Sequence, residues 1–133
     1  MVALARGAQV LATDHYEAAL DFAAHNALVN TGRTLEIALL DWRAPATEDL
    51  GLFDLVIAAD VLYEARNAPA LAALMPRLIA PAGEILLADP RRANAPAFLL
   101  KMKELGFRIS TEEDRVSQDG REVKVLLHRL REG

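Results

Sequence analysis

The chain contains no cysteine, which excludes a disulfide framework, a thiolate zinc site and a cysteine nucleophile. Aromatic residues make up only 5% of it, too few for platforms on which nucleic-acid bases stack. Positive charge is also scarce. Residues 1–97 carry 7 Lys/Arg against 12 Asp/Glu, residues 98–133 carry 8 against 7, and the net charge is −4. Neither part offers the basic surface whose counterion release drives phosphate binding, so no nucleic-acid partner is expected. No apolar run approaches the ~18 residues of a membrane span, and the start MVALARGAQV has no secretory h-region. A soluble cytoplasmic protein with no membrane partner is the expectation. His25 and His128 have no second ligand at metal spacing, so no metal is expected. Glycine is sparse as well: the seven lie at 7, 32, 51, 83, 106, 120 and 133, no two closer than 13 residues.

What is present is apolar and regularly spaced. The 133 residues are 53% hydrophobic, enough to build the core of one domain spanning 1–133. Gln9–Thr13 reads as a buried strand, and Tyr16–Val29 as a helix with Gly32 at its C-terminal cap. Leu35–Leu40 and Phe53–Ala59 read as further strands, and Pro45 and Gly51 bracket the loop between them. Ala68–Ile79 is helical in pattern, and Pro76 is expected to kink it or shift its start. Glu84–Ala88 is a fourth strand and Pro96–Leu105 a third helix, stopped at Gly106. Phe107–Thr111 and Glu122–Leu130 form two last strands around Gln118-Asp119-Gly120, an Asp-Gly hairpin signal. This order predicts an α/β fold with a mainly parallel sheet and an antiparallel C-terminal hairpin.

Four of the strands end in a carboxylate: Asp14, Asp41, Asp60 and Asp89. In open α/β sheets, ligands bind in the crevice outside the carboxyl ends of the strands. Acids on that rim suit cofactor hydroxyls, an amine substrate or a metal, although aspartate also serves there as ordinary turn and cap chemistry.

The order VLATD, LLDW, DLVIAADVLYE and GEILLADP, closed by a hairpin, resembles the class I, seven-β-strand S-adenosylmethionine-dependent methyltransferases. More narrowly it is similar to the protein lysine methyltransferases among them. Its most specific part is Asp60-Val61-Leu62-Tyr63, an acid, two spacers and an aromatic after a strand. The resemblance implies a Rossmann-like three-layer sandwich and S-adenosyl-L-methionine as cofactor. It implies that Asp14 accepts hydrogen bonds from the ribose hydroxyls, with His15 beside it. Asp41 would accept the adenine amino group, Trp42 would pack on the adenine face, and Ala59 would border the methionine portion. Asp60 would bind and orient the amine that receives the methyl group, and Tyr63 would shape its channel. The implied partner is a protein substrate bearing a lysine, with a small amine as the variant. Asp89-Pro90-Arg91-Arg92 is similar to the Asp-Pro-Gly-Arg of a subgroup that methylates the β subunit of electron-transfer flavoprotein, with Arg91 in place of the glycine.

The resemblance also defines an absence. Members of the family begin with a strand and a GxGxG turn, and Met1–Gly7 instead reads as the end of the helix that follows them. That strand is central in the sheet, so the first strand and Gly-rich loop are expected upstream of Met1. The other resolutions are that another polypeptide supplies them, or that the strands ending in Asp14 and Asp60 pair directly in an altered fold. A non-catalytic remnant or interaction module with a Rossmann-like fold is the alternative expectation.

Overall fold

The structure, a computed structural model, describes residues 1–47 and 49–133, residue 118 by its backbone alone. Contacts divide the chain into two compact units, Met1–Ala46 and Thr47–Gly133.

The first unit contains the short helix α1 (Val2–Ala5), strand β1 (Leu11–Asp14), helix α2 (Glu17–Thr31) and strand β2 (Glu36–Leu39). β1 and β2 pair in parallel from Leu11↔Glu36 to Asp14↔Leu39, the arrangement that a connecting helix permits. Leu4, Ala27 and Leu35 form its core, with Val10, Ala12 and Ala23 packed against them. Gly32 caps α2 in the left-handed region, φ +67°, and its N–H donates to the Leu28 carbonyl. Asn30 lies inside the helix, where its Nδ2 donates to the Asn26 carbonyl at 2.7 Å. The first strand starts later than the apolar run suggests, and Asp14 is its last residue.

The second unit contains β3 (Phe53–Ala59), α3 (Asn67–Leu74), β4 (Ile79–Asp89), α4 (Ala95–Glu104), β5 (Phe107–Gln118) and β6 (Arg121–Glu132). Its sheet runs β3-β4-β6-β5, parallel between β3 and β4 and antiparallel through the hairpin. The mixed α/β class and the antiparallel closing hairpin match the sequence expectation. α3 stops at Leu74, earlier than the pattern suggests, and Met75–Arg77 tighten into a 3₁₀ turn. Pro76 explains this, because a proline has no N–H for the i−4 carbonyl.

β4 begins at Ile79 rather than Glu84, because Phe53↔Ile79 pair before a register shift leads into Leu55↔Glu84. The hairpin is also longer than its apolar stretches. Asp119 (φ +50°) and Gly120 (φ +73°) form the two-residue turn, and both strands have 12 residues.

Ile85, Leu87 and Asp89 of β4 and His128 and Leu130 of β6 are buried on one face of this sheet. Leu71 of α3 and Phe98 and Met102 of α4 are buried too, and α4 lies against both α3 and β5. Full burial of side chains of this kind contributes roughly 1.5–3 kcal/mol each. The opposite face leaves Leu55, Ile57 and Leu127 exposed. β1 pairs only with β2 and β3 only with β4, so each keeps one strand edge unpaired among the described residues.

Candidate active site

In the first unit, Asp14 ends β1 and Asp41 lies two residues past β2, at the same end of two adjacent parallel strands. The Leu40 N–H donates to the Asp14 carbonyl at 2.9 Å and carries the pairing one step past β2. Oδ1 of Asp14 accepts the Tyr16 N–H at 2.9 Å and lies 3.6 Å from Nδ1 of His15. The His15 and Tyr16 rings are 3.8 Å apart between centroids. Asp41 is held differently. Arg43 donates Nε to Oδ1 and Nη2 to Oδ2, each at 3.1 Å, and its backbone N–H also reaches Oδ1. These bonds keep the Asp41 carboxyl below the usual carboxylate range, with a smaller contribution from His15. Trp42 is half-buried in the turn that follows.

In the second unit, Ala59 ends β3 opposite Ala88, and the Asp60 N–H donates to the Ala88 carbonyl at 2.8 Å. Asp60 then takes φ +52°, a left-handed conformation that is uncommon outside glycine and is tolerated best by Asn and Asp. There the chain leaves the sheet. Asn67 donates Nδ2 to the Val61 carbonyl and Asn94 donates Nδ2 to the Leu62 carbonyl, both at 2.9 Å. The Leu62 side chain is buried, whereas Tyr63 is half-exposed. The segment 60–63 is thus held at its backbone while Asp60 and Tyr63 stay accessible.

The Asp60 carboxylate has a partner. Arg92 donates Nε to Oδ1 and Nη2 to Oδ2, both at 2.7 Å, a bidentate pair exposed to solvent. This hydrogen bonding holds the Asp60 carboxyl below its ordinary range and the Arg92 guanidinium above its own. Asp89 is buried rather than open on the rim, and its Oδ1 accepts the Arg92 N–H at 3.0 Å. Arg91 takes φ +66°, so the position where the resembled subgroup carries glycine is one whose backbone favours glycine. The sequence reading missed Asn67, Asn94 and the pairing role of Arg92. Asn67 is the first residue of α3 and Asn94 the N-cap of α4, where a cap is the ordinary expectation, yet neither side chain caps its helix.

A family profile described as lysine methyltransferase matches residues 1–105. The chain belongs to the lysine methyltransferase family. Comparison with curated proteins gives no match. Among solved structures, a methyltransferase from Pyrococcus furiosus aligns with a TM-score of 0.73 and 16% identity, covering 92% of this chain and 61% of that one. The N-methyltransferase NodS from Bradyrhizobium japonicum aligns at 0.68 and 20% identity, covering 93% and 73%. Magnesium protoporphyrin IX methyltransferase from Synechocystis, solved with bound S-adenosylmethionine, aligns at 0.68 and 19%, covering 95% and 61%. These likenesses establish the Rossmann-like methyltransferase fold. This family member spans 61% of the length of two of those proteins. Among its described residues, no helix is long and apolar enough to cross a membrane.

Proposed function

We propose that this chain carries the amine-binding and nucleoside-binding parts of a methyltransferase that uses S-adenosylmethionine to methylate a side-chain amine, lysine in the first instance. The observation that supports it most is the Asp60–Tyr63 segment, whose backbone is anchored by two asparagine amides while its carboxylate faces solvent.

The nucleoside assignment fits the chemistry of the first unit. The Asp14 carboxylate is 40% exposed and uses Oδ1 locally, which leaves Oδ2 to accept from vicinal ribose hydroxyls. His15, Trp42 and Asp41 lie in the same strand-end turns, and Oδ2 of Asp41, which accepts Arg43 Nη2, has a second lone pair to offer the adenine amino group. Ala59 leaves little bulk beside the reacting centre. No glycine pair offers the tight turn that would approach the methionine end. In this reading a further segment or a partner chain supplies that turn.

The cofactor supplies an electrophilic methyl group on a sulfonium. The protein's task is to place a neutral amine in line with it, and such positioning is where most of the rate arises. Asp60 accepts hydrogen bonds from the amine and orients it. An unbalanced carboxylate would also raise the amine pKa, so its role is that of binder and orienter rather than strong base.

Calorimetric titration with S-adenosylhomocysteine tests the nucleoside half. Saturable binding is expected, weakened roughly tenfold in Asp14→Asn, the loss of a charge-assisted hydrogen bond. A complete lack of binding favours the non-catalytic reading. Methyl transfer to proteins of a cell lysate tests the amine half, with Asp60→Asn expected to slow it on the order of 10²-fold through lost orientation. Transfer to small amines but not to proteins would replace the protein substrate with a small molecule.

A further inference from the structure

Asp60 and Arg92 are 32 residues apart in sequence, yet the guanidinium meets the carboxylate with both of its bonds at 2.7 Å. The backbone that carries Arg92 is anchored. The buried Asp89 carboxylate accepts the Arg92 backbone N–H, which closes the turn after β4. Asn94 fixes the neighbouring chain by bonding the Leu62 carbonyl. Arg91, in a left-handed conformation, turns its own guanidinium away to Glu113 at 2.9 Å. The two consecutive arginines are thereby sorted, one to the hairpin and one to Asp60.

We propose that Arg92 is the resident cation of Asp60, a specificity-determining residue that an incoming substrate ammonium must displace or share. This rests on the reading of Asp60 as the amine-binding group. A carboxylate has about four lone-pair positions, and a bidentate guanidinium takes the two that point forward together. An ammonium ion competes for the same oxygens. The pair is exposed on both sides, 44% for Arg92 and 46% for Asp60, so water can solvate the guanidinium as it leaves. Where the amine shares the carboxylate instead, Arg92 balances its charge and removes its tendency to keep the amine protonated. In both cases the guanidinium disfavours weak, unspecific cations and favours a substrate with further contacts to contribute.

The test is an NMR titration of the ¹⁵N-labelled chain with N-acetyl-lysine methylamide, followed at the backbone amide of position 60. It compares the natural chain, Arg92→Gln, Arg92→Lys and Asp60→Asn, with thermal melts confirming that each is folded. Arg92→Gln is expected to bind the probe several-fold more tightly than the natural chain, with Arg92→Lys between them and Asp60→Asn showing no site-specific shift. Equal affinity with and without the guanidinium, still abolished by Asp60→Asn, overturns the role of Arg92 and leaves the reading of Asp60 intact. Absence of a specific shift in Arg92→Gln, where the carboxylate is bared, overturns both.

Discussion

His128 sits inside the sheet with its Nδ1 2.8 Å from the Thr111 hydroxyl, and its Nε2 finds no hydrogen-bond partner among the described residues. Burial pushes the imidazole below its ordinary range, opposed by the charge of Asp89. The sign of the linkage follows. Below the unfolded value of about 6.5 the unfolded chain binds a proton that the folded chain resists, so stability falls as pH drops from there toward the lower folded value. Thermal melts between pH 7.5 and 5.5 should show a decline that is smaller in His128→Gln. A histidine in an apolar strand gives no such hint in sequence, because its neighbours come from β4 and β5. The same holds for Arg92: nothing local marks its partner, which lies one strand away.

Elements were legible where the apolar period was unbroken. Phe53–Ala59 is the strand that its sequence predicts, and the Asp-Gly pair forms the hairpin turn. Legibility failed where tertiary pairing overrides local pattern. Residues 112–117 are charged or polar at most positions and exposed throughout, so no alternation betrays a strand that exists because β6 pairs with it. Ile79–Gly83 likewise reads as a helix end and a turn, yet it forms the start of β4. Gly83 is the reason that the chain fits there. A Cβ on it would lie 2.9 Å from the Ala80 carbonyl oxygen and 3.0 Å from that of Asp54. Gly83→Ala is therefore expected to destabilise by roughly 1–3 kcal/mol through overpacking. Urea unfolding measures it, and an unchanged midpoint would show that the β3–β4 junction can relax.

At the scale of the molecule, the chain forms two separate sheets, and among the described residues β1 and β3 each keep one edge unpaired. The uncharged stretch Leu55–Ala59 at a sheet edge, with Leu55 and Ile57 exposed, is an aggregation liability of the sort that proteins normally cover or charge. Sedimentation velocity of the isolated chain should reveal self-association that rises with concentration, and Ile57→Lys, at a 60% exposed position on β3, should reduce it. The direction of β3 limits what that association can achieve. Two copies related by a two-fold axis and joined edge to edge through β3 would pair antiparallel. β3 runs parallel to β4, and a strand that continues this pattern runs along it rather than against it. Symmetric dimers could hide the edge from solvent, but their seam would have the wrong polarity to extend the parallel part of the sheet.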